Sequence, residues 1–301
     1  GGIGIIIPPS IPMVIFGISA MGIQVPEAAV ARHGDFAGVS IPKLFVAGAV
    51  PGLIMAVALI IANYVRSKKH GYLGLTDRWG VAEIGKAMRH GVWSLLAPFI
   101  ILGGIYAGLF TPTESAVVAI AYTLVVGVFL HREMTWQKVW EALLSTTWIT
   151  GRVLLILFAA TVFGRVLVEE EIPARMATFL LGLTDSLNVV WLVQIAMLLF
   201  VGMFMETLAA IMILVPVLMP VMYMLGADPT HVGVVVICAL SIGFQTPPLG
   251  ENLFVASGIS GMPVERIVAK VLPFTAVSVV ALLIIAFFPQ LSLWLPGLMG
   301  Y

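Results

Sequence analysis

Two proline pairs stand inside strongly apolar stretches of this sequence. Pro8-Pro9 follows Gly4-Ile5-Ile6-Ile7, and Pro247-Pro248 follows Gly243-Phe244-Gln245-Thr246. A proline has no N–H and blocks the carbonyl four residues earlier from its helical donor. In a bilayer core each orphaned polar group costs several kcal/mol, so something must satisfy it. Unwound carbonyls are hard oxygen ligands for Na+, while the N-termini of half-helices favour anions. The breaks therefore mark the carbonyls of Gly4, Ile7 and Pro8, and of Gly243, Thr246 and Leu249, as candidate Na+ ligands, with the Thr246 hydroxyl beside them. A proline kink satisfied by a neighbouring helix or water uses the same residues without an ion. The recurrence of the break favours the ion site.

The recurrence is more than the two prolines. Each pair is followed by an apolar pair, Ile15-Phe16 or Leu253-Phe254, and then by Gly-Ile-Ser at 17–19 or 258–260. Other polar residues fall in or beside apolar runs, where an ionisable group is a functional candidate. Ser10, Thr207 and Thr246 carry hydroxyls able to donate to a carboxylate; Glu206 stands in the turn Met205-Glu206-Thr207, and Glu251 and Asn252 follow the second break. Glu206, like Glu114, also reads as the N-cap of a following helix. Both roles stay open for each.

The elements that must position these residues are set by composition. Of 301 residues, 60% are hydrophobic and 10% charged, against about 25% charged in a soluble domain. The apolar runs approach the roughly 20 residues an α-helix needs to cross a bilayer. They do not alternate in strands of about ten, which excludes an outer-membrane barrel. The chain reads as an all-α polytopic membrane protein. Zero net charge and the lack of a basic patch exclude nucleic acid as a partner. The single cysteine, Cys238, sits in an apolar run as a small core residue and excludes an internal disulfide. No GxSxG, HExxH or Walker loop is present, so no catalytic residue is assigned and direct ATP coupling by this chain is not expected.

Charge orients the segments. Residues 63–92 hold Arg66, Lys68, Lys69, Arg78, Lys86 and Arg89 against Asp77 and Glu83, which makes this linker cytoplasmic. Phe45–Ile61 enters the cytoplasm, so the opening broken segment runs outward. Runs at 94–110 and 115–130 go out and back to His131, Arg132 and Lys138, and 143–168 crosses outward to Glu169-Glu170-Glu171. The apolar arms 190–204 and 208–225, around Met205-Glu206-Thr207, read as a re-entrant hairpin. Two ordinary spans instead would leave Arg266 and Lys270 outside, against the charge rule. The broken segment 232–262 then runs inward, opposite to the first, as inverted repeats around a midplane site would. A last span at 271–291 leaves the C-terminus periplasmic. The organisation expected is 1–62 as the remainder of a first repeat, 63–92 as linker and 93–301 as the second repeat. The Gly-Gly start without an initiator methionine suggests that the natural N-terminus lies further upstream.

GIIIPPSIPMVIFG, GGIYAGLFTPTESAVVAIAY, GMFMETLAAIMILVPVLMPV, GADPTHVGVVV and IGFQTPPLGENLFVASGIS together resemble the large membrane subunit of tripartite ATP-independent periplasmic (TRAP) transporters along nearly the whole chain. The resemblance implies the elevator fold of the ion-transporter superfamily, with scaffold helices, two re-entrant hairpins and two broken helices. It implies Na+-coupled uptake of an organic acid of the C4-dicarboxylate, sialic acid or keto acid type across a bacterial inner membrane. The partners it implies are a periplasmic binding protein, a small four-helix membrane subunit and membrane lipid. It adds Gly202 to the second ion site beside Gly243, Thr246 and Leu249, with Gly4, Ile7 and Pro8 in the first. The family's first hairpin, expected before the first proline pair, is missing from this sequence. A stand-alone divalent-anion/Na+ symporter of the same superfamily is the alternative. An intramembrane enzyme is a remote one, since His33, His70, His90, His131 and His231 lie in loops or at segment ends.

Overall fold

The computed structural model describes residues 2–72, 80–184 and 186–301. The linker residues 73–79, with Asp77 and Arg78, lie outside the described residues. The described helices are, in chain order, α1 (Ile3–Ile6), α2 (Ile11–Met21), α3 (Glu27–His33), α4 (Ile41–His70), α5 (Val81–Tyr106), α6 (Pro112–Val125), α7 (Trp136–Glu169), α8 (Ile172–Leu183), α9 (Leu187–Gly202), α10 (Thr207–Met224), α11 (Pro229–Gly243), α12 (Glu251–Ser260), α13 (Val264–Phe287) and α14 (Gln290–Leu298). Five stretches are long and apolar enough to cross a bilayer: α4, α6 with its π-helical extension to Leu130, most of α7, α10 and α13. The two halves of α5, bent by 63°, make a sixth if taken as one span. The described chain is thus helical and polytopic.

It divides into two compact units, residues 65–152 and the remainder. Within residues 65–152, α6 starts at a capping box. The Thr111 hydroxyl accepts from the Glu114 amide at 3.3 Å, and the Glu114 carboxylate accepts from the Thr111 amide at 2.8 Å. Glu114 therefore serves its helix start. The Ser115 hydroxyl donates to Ile101 O at 3.0 Å and the Tyr122 hydroxyl to Trp93 O at 2.6 Å, which fastens α6 along α5. On α7 the apolar side chains of Leu143, Leu144, Trp148, Leu154, Leu155 and Phe158 are all exposed. They suit contact with hydrocarbon, where apolar side chains face outward at no desolvation cost.

The other unit is built round α11, every residue of which is buried. Trp191 meets His231 edge-on with ring centroids 5.4 Å apart, and Gly202 lies against Gly243, so α9 runs parallel to α11. The α1–α2 segment runs the other way: Gly2 faces Ser241, and Phe16 lies against Gly233. A Cβ at Gly233 would stand 2.6 Å from the Phe16 side chain and 2.8 Å from that of Leu44, so any larger residue there would force both to shift. Between α9 and α11 the chain turns back through α10. At the C-terminal end of α10, His33 Nε2 lies 3.1 Å from Met224 O and Phe36 packs edge-on against Tyr223.

Two elements differ from the sequence reading. The last span starts at Val264 and stops at Phe287, where Phe288 (φ −120°, ψ 81°) precedes Pro289 and leaves the helical region. The separate helix α14 then begins. Residues 172–183, unassigned by the reading, form α8 against α10.

Candidate functional site

Each interrupted helix solves its proline problem locally, and differently. At the first break Pro8 deprives Gly4 O of a donor and Pro9 deprives Ile5 O. Ser10, buried and N-capping α2, donates its hydroxyl to Ile5 O and accepts from Met13 N at 3.4 Å. Ser10 therefore offers no free proton to an anion in this arrangement. No hydrogen bond reaches the carbonyls of Gly4, Ile7 or Pro8 among the described residues. These three oxygens, acceptors without a donor, remain available to water or a cation.

At the second break more of the carbonyls are answered. Gly243 O accepts from Thr246 N at 2.8 Å, Phe244 O from Asn252 N at 3.2 Å, and Thr246 O from Gly250 N at 3.1 Å. The Thr246 hydroxyl donates to Ile242 O at 2.6 Å, so its lone pairs, not its proton, are free to face a ligand. Leu249 O has no donor among the described residues. The loop is tight: a Cβ at Gly250 would stand 2.8 Å from Thr246 O.

The tip between α9 and α10 meets this break. A Cβ on Gly243 would lie 2.8 Å from the Gly202 Cα, and one on Gly202 would lie 3.1 Å from Leu240 O. Two glycines thus bring the C-terminal ends of α9 and α11 into backbone contact. Beside them opens a cavity of about 190 Å³ lined by Gly202, Met205, Glu206, Phe244, Leu249 and Glu251, among others. Glu206 caps α10 by accepting from Ala209 N at 3.4 Å, and Glu251 opens α12. Thr207 Oγ and the Asn252 side-chain nitrogen are buried with no hydrogen-bond partner among the described residues.

The arrangement has a definite electrical character. The C-terminal ends of α9 and α11 carry partial negative charge, and the N-terminal ends of α10 and α12 partial positive charge. The first pair suits a cation; the second suits an anionic group, although Glu206 and Glu251 already sit there. No group of three or more His, Cys, Asp or Glu side chains converges among the described residues. A cation held here would rest on backbone and hydroxyl oxygens, a hard-oxygen set suited to Na+. The sites expected from sequence thus fall into two clusters: Gly202, Glu206, Gly243, Thr246, Leu249 and Glu251 at one, and Gly4, Ile7, Pro8 and Ser10 at the other.

Residues 1–291 match the family described as tripartite ATP-independent periplasmic transporter, DctM component. The chain belongs to this family. A DctM component is a transporter subunit and not an enzyme. Among its relatives is the isethionate TRAP transporter permease protein DctMQ of Oleidesulfovibrio alaskensis, 38% identical over 297 residues, which are 99% of this chain and 44% of that protein. The sialic acid TRAP transporter large permease protein SiaM of Vibrio cholerae is 38% identical over 300 residues, 99% of this chain and 66% of SiaM. The C4-dicarboxylate TRAP transporter large permease protein DctM of Pseudomonas aeruginosa is 37% identical over 302 residues, spanning 100% of this chain and 66% of that protein. The chain therefore spans about half to two thirds of the curated relatives it matches.

The DctM-family fold buries polar groups whose partners the sequence does not reveal, among them His231, expected only at a loop or segment end. His231 is 1% exposed, with Nε2 3.1 Å from Ala286 O and Nδ1 3.2 Å from Ser292 Oγ. Since a carbonyl only accepts, Nε2 carries the proton to Ala286 O; in the neutral ring Ser292 then donates to Nδ1. Gln194, on the face of α9 that is buried, has both amide atoms unpartnered among the described residues. A lone histidine or glutamine in an apolar run gives no local signal of what it will meet.

Proposed function

We propose that this chain is the large membrane part of a Na+-coupled secondary transporter that takes up an organic acid anion across a bacterial inner membrane. The observation that carries the reading is the paired break. Two helices, each interrupted at a Pro-Pro, run antiparallel, and each leaves carbonyls without donors. One break closes against the tip of a helical hairpin at Gly202 and Gly243. Inverted repeats around a binding site produce this arrangement, which supports an elevator fold with 1–62 and 93–301 as repeats. Na+ would be carried at Gly4, Ile7 and Pro8, and at Gly202, Gly243, Thr246 and Leu249. The anion would meet the hairpin tip and second break near Thr207 and Asn252, with Glu206 and Glu251 at the edge; Ser10 and Thr246, whose hydroxyl protons go to Ile5 O and Ile242 O, would not donate to it.

The named relatives carry isethionate, sialic acid and C4-dicarboxylates, all organic acids, which supports that substrate class without choosing within it. Their names also support a tripartite assembly, with a small membrane subunit and a periplasmic binding protein, in lipid. The linker 63–92 would then be cytoplasmic and the C-terminus periplasmic. The test is uptake into proteoliposomes by the complete assembly under an imposed Na+ gradient, with and without the binding protein. Uptake of an organic acid that needs both supports the reading. Uptake without the binding protein points to the stand-alone symporter, and uptake indifferent to Na+ overturns the coupling.

A further inference from the structure

The two interrupted helices are joined by a polar contact that neither candidate ion site includes. The Ser241 hydroxyl, buried on α11 two residues before Gly243, donates to Gly2 O at 2.7 Å, two residues before Gly4. Four residues on, in the turn just past the end of α11, Gln245 points the same way: a Cβ on Gly2 would stand 3.0 Å from Ser241 Oγ and 3.2 Å from Gln245 Oε1. Ser241 and Gln245, with Gly2 and Ser278, line a separate cavity of about 110 Å³ between α1, α4, α11 and α13. The Ser278 hydroxyl donates to Phe274 O at 2.9 Å, leaving its lone pairs available. Several waters fit such a volume, each taking about 30 Å³.

We propose that Ser241 and Gln245 are positioning residues that couple the two ion sites, so that Na+ at one break raises affinity for Na+ at the other. A cation at the second break draws on the carbonyl of Gly243, which lies within the Ser241–Gln245 stretch, and on the hydroxyl of Thr246, which directly follows it. Any shift of that turn is passed to Gly2 by a direct buried hydrogen bond, and from Gly2 to Gly4 within one short helix. This is a contiguous chain of contacts between two sites, one route by which energetic coupling can travel. The inference rests on the Na+-coupled reading above.

The test is Na+ binding to the complete transporter, followed by Na+-dependent shift of its thermal unfolding midpoint at constant ionic strength, with choline chloride replacing NaCl. The unsubstituted protein is expected to saturate with a Hill slope above one. Ser241→Ala and Gln245→Leu are each expected to bring the slope towards one and to raise half-saturating Na+ by about fivefold, the lower end of typical site-to-site coupling. Ser241→Thr, which keeps a hydroxyl, should restore the slope. If Ser241→Ala does not fold, Gln245→Leu at its half-buried position carries the test. A slope that stays above one in Gln245→Leu overturns the proposal, as does a slope of one in the unsubstituted protein. No Na+ response in the unsubstituted protein refutes instead the Na+-coupled reading on which the proposal stands.

Discussion

The contact between Gly202 and Gly243 gives the sharpest test of the second site, because a single methyl group is enough to disturb it. In Gly243→Ala the new Cβ would stand 2.8 Å from the Gly202 Cα and 2.9 Å from both the Gly202 C and Leu199 O. Ordinary contact starts at 3.4 Å, so α9 and α11 must separate by about 0.6 Å, the difference of the two distances. All three obstructing atoms are backbone, so no side chain can turn aside. Overpacking of this kind costs about 1–3 kcal/mol, set against a gain of up to about 1 kcal/mol for alanine over glycine in a helix. The net expectation is a loss of about 1 kcal/mol and at most about 2, or roughly 2–3 °C in unfolding midpoint at about 2.1 cal/mol/K per residue for a chain of 301 residues. Gly258→Ala is the internal control. It lies in α12 with nothing within 4 Å of its Cβ, so it should leave the midpoint level or raise it. The assay is thermal unfolding of the purified assembly, with and without Na+. The Na+ stabilisation should shrink further in Gly243→Ala, since the carbonyl ends of two helices have been prised apart. A Gly243→Ala protein as stable and as Na+-responsive as Gly258→Ala would refute the close contact and the ion site built on it.

Three further outcomes follow from single residues. Thr246→Ala should weaken Na+ activation of uptake while costing only about 1 kcal/mol of stability, the worth of its bond to Ile242 O; unchanged Na+ activation would remove Thr246 from the site. Cysteines at Asp228 and Lys270 should be labelled from opposite sides of the membrane by an impermeant maleimide in cells, and labelling from one side would break the proposed orientation. His231→Phe should fill the space yet strand Ala286 O and the Ser292 hydroxyl, lowering stability by roughly 1–3 kcal/mol. Midpoints unchanged from the unsubstituted protein would show that water replaces the imidazole freely.

Local chemistry made the breaks legible. A proline withholds its own N–H wherever it stands, so the carbonyls of Gly4 and Gly243 could be named as losing their helical donors before any fold was known, although Gly243 O recovers one from Thr246 N. The same holds for Thr111 and Glu114, whose capping box is written within four residues. Gly202 was different: nothing near it in the chain separates it from other glycines in apolar runs, and it came only from family resemblance. What it does depends on Gly243, 41 positions later, and the pairing exists only once α9 lies parallel to α11. Gly2 and Ser241 are further apart still, at a sequence separation of 239. Hydropathy ended the long helix at Glu169-Glu170-Glu171 and left α8 unassigned, because its 12 residues are too few to read as a span. It also ran the last span past Phe288, because apolar residues continue on both sides of that corner.

The charges around the second break couple Na+ and substrate binding in the proposed transporter. Glu206 and Glu251 line its cavity, and an organic anion arriving there would add negative charge beside two carboxylates. The N-terminal ends of α10 and α12 offset part of that repulsion, at about 0.3–1 kcal/mol for each end. A bound Na+ offsets more. At a separation of about 6 Å and an effective dielectric constant near 20, a unit charge pair is worth about 3 kcal/mol, close to a hundredfold in affinity. Na+ should therefore tighten substrate binding by up to about that factor, and linkage requires substrate to tighten Na+ equally. Calorimetry with whichever organic acid the assembly transports, at zero and saturating Na+, measures one arm; Na+ titration with and without that acid measures the other. Equal substrate affinity in the two Na+ conditions would show that the carboxylates do not face the anion, and the cavity beside Gly202 would then not be its binding site.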